Sequence, residues 1–219
     1  DAVYSPESVW WANEDTNAVK FLLGYKEIIT DPYGAVTTRE WSTTRDSYNS
    51  AKKTVAYHEV MRDVLGRIFS TSDWSNGVYD GDKVKSYHQV TRDAYGNVST
   101  LDWSGAYNTS GFISEVFSKE AQANKDGSTS YSESTTTYTY DESEKLKTGV
   151  GRGTFRGEDE FGNTNSGTTT QEYEIKNGQL KLNKNISLAD YENIDGSTAH
   201  SDSAVTYSYS NTNLLTGAN

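Results

Sequence analysis

Residues 25–41 read YKEIITDPYGAVTTREW, and this stretch predicts a β-hairpin. Its centre, Asp31-Pro32-Tyr33-Gly34, places Asp, Pro and Gly where a type I turn closed by a left-handed glycine requires them. If Asp31 pairs with Ala35, then Tyr25 lies opposite Trp41. The same register predicts two pairs of opposite charge, Lys26–Glu40 and Glu27–Arg39. Cross-strand pairs of these kinds contribute roughly 0.2–1 kcal/mol each, so they favour this register.

The turn pattern returns along the chain at a nearly constant interval. Its aspartates are Asp31, Asp63, Asp93, Asp126, Asp159 and Asp195, which subtraction places 32, 30, 33, 33 and 36 residues apart. A fixed period of this length is typical of a repeated supersecondary unit. The sequence therefore predicts an all-β fold, an antiparallel β-hairpin repeat array. We expect a meander or β-spiral of about twelve strands with a period of about 32 residues.

The turns also set the predicted division of the chain. Residues 1–24 form an N-terminal lead-in segment, and residues 25–219 form the hairpin array. Residues 6–21 fit a helix that begins after Ser5 and fit strands equally well. The chain starts abruptly and stops just after a strand-like segment, which suggests a portion of a longer protein. The turns of the array are expected near residues 31–34, 63–66, 93–96, 126–127, 159–162 and 195–196.

The hairpin register can be carried to the next copies. Pairing Asp93 with Asn97 gives the predicted pairs Tyr87–Trp103 and His88–Asp102. In the copy between them, Gly66 and Trp74 are 8 residues apart, whereas the corresponding interval in the other two copies is 7. A one-residue slip would turn every side chain to the opposite face. We therefore predict a β-bulge within residues 67–73, which restores the pairs Tyr57–Trp74 and His58–Asp73.

A later hairpin has a different turn. Asn177-Gly178 is typical of a two-residue type I′ turn. This turn predicts that Ile175 lies opposite Leu180 and that Glu174 lies opposite Lys181.

Composition excludes several classes of protein. The 219 residues include no cysteine, so disulfides and thiolate metal sites are excluded. Only 33% of residues are hydrophobic and the mean hydropathy is −0.79, which argues against a thick apolar core. The net charge of −11 argues against nucleic acid as a partner, because phosphates require clustered Lys and Arg. No stretch approaches the ~20 apolar residues of a membrane-spanning helix.

Candidate catalytic and metal-binding residues all have a simpler interpretation. His58 and His88 occupy equivalent repeat positions, about 9.6 Å apart if two strand spacings separate them, which is too far to share a metal ion. Each has a predicted aspartate partner, and His200 is expected to be a solvated surface residue that stands alone. The turn aspartates offer too few ligands for calcium and are expected to bind their own turn amides. We therefore predict no enzyme activity, no catalytic residues, no metal and no cofactor.

The aromatic pairs are the candidate ligand-binding residues. If the rings face water at a regular spacing, they could stack on sugars and bind a polysaccharide. If the rings face inward, they form the core, which the shortage of aliphatic residues favours. The residues concerned are Tyr25, Tyr57, Tyr87, Trp41, Trp74 and Trp103.

Several segments resemble the tyrosine-aspartate (YD, Rhs-type) repeats of large secreted bacterial proteins. They are Asp63-Val64-Leu65-Gly66-Arg67-Ile68, Asp93-Ala94-Tyr95-Gly96-Asn97-Val98, Tyr138-Thr139-Tyr140-Asp141 and Tyr207-Ser208-Tyr209-Ser210-Asn211. The resemblance implies a long β-hairpin spiral that is extracellular or on the cell surface. In some members of the family the spiral is a shell that encloses a toxin, and similar repeats occur in giant cell-surface proteins.

The expected function is therefore that of a structural repeat segment of a secreted or cell-surface bacterial protein, as a stalk, fibre or shell wall. One alternative is a carbohydrate-binding adhesive module, or adhesin, that uses an exposed set of Tyr and Trp rings. Another is a fragment of a toxin-encapsulating YD-repeat shell. Self-association through unpaired sheet edges is a further expectation.

Overall fold

The chain is all-β. The computed structural model describes the backbone of residues 3–11 and the whole of residues 21–31 and 33–219. These residues form fourteen strands. The strands are β1 (Val3–Trp11), β2 (Leu22–Thr30), β3 (Val36–Ser42), β4 (Tyr57–Arg62), β5 (Ile68–Asp80), β6 (Lys83–Asp93), β7 (Val98–Tyr107), β8 (Ile113–Ala123), β9 (Thr129–Tyr140), β10 (Leu146–Glu158), β11 (Thr164–Lys176), β12 (Gln179–Glu192), β13 (Thr198–Tyr209) and β14 (Leu215–Ala218).

Helix is nearly absent from the described residues. A short 3₁₀ helix, Arg45–Ser47, lies between β3 and β4. The helix that residues 6–21 could have formed is wrong for its first part, because β1 continues to Trp11 and pairs antiparallel with β2. Residues 12–20 lie outside the described part. In the described chain we find no helix with the length and apolar character needed to cross a membrane.

The chain divides into two compact units, Asp1–Thr100 and Leu101–Asn219. In the first unit, β1 to β6 form an antiparallel meander, each strand pairing with the next. In the second unit, β8 to β14 do the same. The predicted antiparallel hairpin array is thus confirmed, whereas a boundary after residue 24 stays a prediction.

The predicted register of the first hairpin is confirmed. β2 and β3 pair Tyr25 with Trp41, and they also form the pairs Lys26–Glu40 and Glu27–Arg39. The predicted bulge is also present, because Met61 pairs with Ser70 while the next residue pairs with Ile68. Phe69 is the extra residue, and its carbonyl accepts a hydrogen bond of 3.0 Å from the Ala94 N–H. The bulge restores the pairs Tyr57–Trp74 and His58–Asp73.

The type I′ hairpin is confirmed in the second unit. Asn177 and Gly178 have φ of 49° and 75°, and β11 and β12 form the predicted pairs Ile175–Leu180 and Glu174–Lys181. The predicted pairs Tyr87–Trp103 and His88–Asp102 have one member in each unit and stay predictions.

One turn geometry connects most of the strands. In the first copy, the Asp31 N–H donates to the Ala35 carbonyl and the Gly34 N–H donates to the Asp31 carbonyl, both at 3.0 Å. The Asp31 carboxylate accepts from the Tyr33 and Ala35 N–H groups, each at 2.8 Å. Gly34 has φ of 85°, which favours glycine. The aspartate therefore holds the turn through its own backbone, as the sequence predicted.

Two of the predicted turns begin two residues earlier than expected. The N–H of Asn124 bonds to Ser128 and that of Asn193 bonds to Ser197, so these asparagines hold the position of Asp31. Asp126 and Asp195 lie inside the turns instead. The same backbone pattern also closes hairpins that the Asp-x-x-Gly pattern did not reveal. Those turns begin at Asn49, Asn108, Asp141 and Ser210.

Within each unit, the described strands pack against the strands beside them rather than against a second layer. Apart from glycines, the described residues that are buried are Trp74, Ala189 and Ser72. The glycines at 77, 105, 149 and 151 are buried as well. Apolar burial therefore has to be achieved between side chains on one face of the sheet.

We predict that the fourth turn position controls stability through φ alone. Gly66 has φ of 77° and a Cβ there would meet no atom within 4 Å. Gly66→Ala should therefore lower the free energy of unfolding by about 1 kcal/mol, measured by urea titration. Lys52 holds the same position in the Asn49 turn with φ of 62°. Lys52→Gly should raise the free energy of unfolding by about 0.5 kcal/mol, because the backbone strain that glycine relieves exceeds the conformational entropy that glycine loses on folding. A shift of the free energy of unfolding in the same direction for both changes would contradict this account.

Candidate functional site

Five of the six candidate aromatic residues form one continuous row in the first unit, which we call the aromatic ladder: Tyr25, Trp41, Tyr57, Trp74 and Tyr87. Neighbouring ring centroids are 5.5, 5.6, 5.3 and 5.4 Å apart along that order. One ring comes from each of β2 to β6, because the paired registers return an aromatic residue to the same face of every strand. The turns and the bulge thus place the ladder.

The rings overlap rather than lie flat on the sheet. Tyr25 and Trp41 are inclined by 17°, and Tyr57 and Trp74 by 13°. Two parallel rings side by side in one plane would need centres at least roughly 6 Å apart to avoid contact between their edges. At 5.5 and 5.3 Å these two pairs are instead offset-stacked, the arrangement that aromatic pairs prefer. The other two pairs, Trp41–Tyr57 and Trp74–Tyr87, are tilted by 40° and 33°. Each interior ring therefore has one face against a stacked neighbour and meets its other neighbour at an angle.

Charged groups complete the face beside the ladder. The Arg39 guanidinium contacts Glu59 at 2.5 Å and Glu27 at 3.7 Å. It also lies over the ring of Tyr25, 5.8 Å from the centroid. Arg39 thereby joins the ladder to the carboxylates of β2 and β4. One guanidinium therefore contacts two carboxylates, and the three groups carry a net charge of −1.

Trp74 is the most buried ring, with 7% of its surface exposed. Its indole lies over Gly77 of the same strand, where a Cβ would come within 2.2 Å of the indole Cη2. The Gly77 N–H donates to the Val55 carbonyl at 3.0 Å, and that same Cβ would be 3.1 Å from Val55 Cα. Gly77 therefore leaves the space that the ring fills. The segment between β3 and β4 lies against Gly77 through Val55.

Burial changes the ionisation of the ladder phenols. Desolvation raises the pKa of Tyr25, Tyr57 and Tyr87 above the usual value. The fold thus favours the protonated phenols. Their contribution to stability is present below the pKa of an unfolded tyrosine, about 10, and is lost as the pH rises through the higher folded value.

Trp103, the sixth candidate, lies in the second unit. Its ring covers Gly105, where a Cβ would be 2.7 Å from the indole Cη2 and 3.3 Å from Ile113. Other rings of this unit also cover glycines: Phe155 lies over Gly167 of the paired strand, and Tyr138 and Tyr173 flank Gly149. The sequence analysis missed these glycines, although each stands within a strand, where glycine typically marks a close approach.

His58 and His200 have carboxylate partners. His58 Nδ1 lies 2.7 Å from Asp73, as predicted, and Asp73 also accepts a bond of 3.1 Å from Arg92. His200 does not stand alone as expected, because Asp190 and Asp202 contact its two ring nitrogens at 2.6 and 2.5 Å. All three residues of this second group are exposed. In the described chain, no three His, Asp or Glu side chains are placed to hold a metal ion.

Comparison of the chain with protein-family models, with curated proteins and with solved structures finds no match. The functional argument therefore rests on the geometry of the chain itself.

We predict that Trp74 and Gly77 act as one unit. Gly77→Ala should cost about 1–3 kcal/mol, because the added methyl displaces the indole. Combining it with Trp74→Leu should cost less than the sum of the two single changes, as a double-mutant cycle by urea unfolding will show. Gly217→Ala is the control, since nothing lies within 4 Å of a Cβ there. Additive single effects would show that the ring does not depend on the glycine.

Proposed function

We propose that this chain is a structural repeat segment of a secreted or cell-surface bacterial protein, serving as a stalk, fibre or shell wall. The observation that carries the proposal is the mode of packing within each unit. Each described strand is held by the strands beside it, in a register set by a repeated turn. Such an array can be lengthened by whole hairpins without rebuilding a core, which is the property of linear repeat proteins.

The candidate site supports the same proposal. The ladder residues contact one another along the face, and Arg39 contacts two carboxylates beside them. Stacking of this kind contributes about 0.5–1.5 kcal/mol per aromatic pair beyond area burial. A role in stability is therefore enough to account for the ladder without a ligand. The resemblance to YD-type repeats adds the extracellular location to the proposal.

Carbohydrate binding is the second candidate, because four of the five ladder rings are only partly buried and no second layer covers their face in the described unit. A sugar stacks on an open ring face, however, and each interior ring shares one face with a stacked neighbour. This geometry favours the structural role over carbohydrate binding.

The structural role predicts that the array accepts an additional repeat. A second copy of residues 63–92, 30 residues, inserted after Arg92, begins a new turn where Asp93 did. It sets Tyr87 beside the copied Trp74, as Tyr57 lies beside Trp74, and so extends the ladder. We expect cooperative unfolding and a gain of at least about 1 kcal/mol in stability from the added cross-strand pairs.

The control for this insertion contains the same 30 residues in scrambled order. Circular dichroism and urea unfolding compare the three proteins. If the ordered copy destabilised the chain as much as the scrambled one, the array would not be extendable and the proposal would be overturned.

The carbohydrate alternative is tested separately on a glycan array. We expect no saturable binding by the native chain, since each interior ring has one face against a stacked neighbour and contacts its other neighbour at an angle. Tyr33→Ala is the matched control for Trp41→Ala, because Tyr33 is 96% exposed and lies outside the ladder. Glycan binding that Trp41→Ala abolishes and Tyr33→Ala preserves, with unfolding still cooperative, would make the chain a carbohydrate-binding module.

A further inference from the structure

The hairpin turns at one edge of the first unit expose large apolar side chains to water. Strands β2, β4 and β6 run in the same direction, because each strand of this meander is antiparallel to the next. The turns that follow these three strands therefore lie at one edge, about 9.6 Å apart if two strand spacings separate them. Their third residues are Tyr33, Leu65 and Tyr95, which are 96%, 72% and 77% exposed. We call these three side chains the tip row.

The turn itself does not require a large residue at its third position. In each of the three turns, this residue bonds to the turn aspartate through its backbone N–H, at 2.8, 2.9 and 2.8 Å. Its side chain takes no part in closing the turn. The turn at Asp159 has Phe161 there, whereas the other turns closed by the same backbone bonds have small or polar residues. Those residues are Ala51, Ser110, Asp126, Ser143, Asp195 and Thr212.

The side chains of the tip row suit a boundary between water and an apolar medium. In the described part of the chain, the hydroxyls of Tyr33 and Tyr95 make no hydrogen bond and their rings contact no other ring. An apolar ring that ends in a hydroxyl can have its body in the apolar medium and its hydroxyl in water. Leu65 and the neighbouring Val64 give the middle turn an aliphatic surface, because both are exposed.

This edge is electrically neutral although the chain is acidic. Residues 30–35, 62–67 and 92–97 contain three aspartates and three arginines, so their net charge is zero, whereas the whole chain carries −11. An uncharged surface can therefore approach the tip row without repulsion. A surface of negative charge is repelled by the rest of the chain.

A second copy of the chain fits this edge poorly. A stable protein interface buries roughly 800 Å² on each partner and involves roughly 20–30 residues a side. The tip row offers three side chains in single file, and two copies that each carry a charge of −11 repel one another. A lipid surface has no such requirement, because each side chain enters it separately.

We propose that the tip row rests on a lipid surface with zwitterionic headgroups, where Tyr33, Leu65 and Tyr95 insert between the headgroups and the acyl chains. Tyrosine is enriched at this boundary in membrane proteins. Binding there strengthens with the apolar area that is buried, so each turn adds to the affinity. The strands of the first unit then meet the surface end-on. The proposal concerns the turns and holds whether or not the array serves as a stalk.

The first test is co-sedimentation of the full chain with vesicles of phosphatidylcholine. We expect binding at millimolar lipid, weakened at least about fivefold by Leu65→Ser and lost when Tyr33→Ser and Tyr95→Ser are added. Val78→Ser is the control, because Val78 is 50% exposed and lies on β5 roughly 33 Å from Ile68, the residue at the turn edge. Urea unfolding shows that each variant is folded.

The second test uses the native chain and so does not depend on the variants. Phosphatidylcholine with a spin label on its headgroup broadens the NMR signals of nearby amides in the ¹⁵N-labelled chain. We expect broadening at residues 31–35, 63–67 and 93–97. We expect none at Gly81 and Asp82, which connect β5 to β6 at the opposite edge of the unit.

Four results would overturn the proposal. The first is no binding to phosphatidylcholine at millimolar lipid. The second is undiminished binding by the folded triple variant, or broadening away from the three turns. The third is binding that requires anionic lipid, which would assign it to the arginines. The fourth is association of the native chain without lipid that the triple variant lacks, which would make a second copy the occupant of this edge.

Discussion

The fold depends on burying aromatic rings within a single face of a sheet. A sheet normally covers its apolar face with helices or with a second sheet. Here the described strands of each unit pack only beside one another, so a ring must be covered by its neighbours in the row and by the backbone beneath it. Offset stacking supplies the first cover, and glycine supplies the second. Trp74 over Gly77 shows both together.

This constraint makes register the quantity that the turns must control. A slip of one residue would move Trp41 or Trp74 to the opposite face and interrupt the row. Where an aspartate begins the turn, the Asx-type turn prevents the slip. Its carboxylate binds two backbone N–H groups, as that of Asp63 binds those of Leu65 and Arg67, and so fixes the first pair of the hairpin. Where the spacing is one residue too long, the bulge at Phe69 restores the register. The proposed function as a structural array rests on these local rules, since each is satisfied by neighbours alone.

Much of this could be predicted from the sequence because it is local. The pairs around Asp31, the bulge before Trp74 and the type I′ hairpin at Asn177 all follow from turn chemistry and counting. The starts of two turns were misjudged, because Asp126-Gly127 and Asp195-Gly196 each resemble a complete turn pattern. The asparagine two residues earlier makes the same backbone hydrogen bonds as Asp31 and is the better guide.

Other features needed the coordinates. The glycines under rings were not foreseen, since Gly77 is three residues from the ring that covers it and Gly167 is on a different strand from Phe155. The ladder rings were also expected to lie either in the core or on the surface, and the structure does not divide them in this way. In a unit without a second layer, a ring can be part of the apolar core while its edge faces water. The contact of His200 with Asp190 depends on the register of β12 with β13, which was missed because the turn begins at Asn193 and not at Asp195.

Native-state hydrogen exchange of the first unit tests the central claim most directly. If stability comes from the stacked ladder and is passed between neighbouring strands, the opening free energies of the amides should be highest in β4 and β5, which hold Tyr57 and Trp74, and should fall strand by strand toward β2. A single opening free energy shared by all strands from β2 to β6 would contradict the account, because it would show one global core in place of a chain of neighbour contacts.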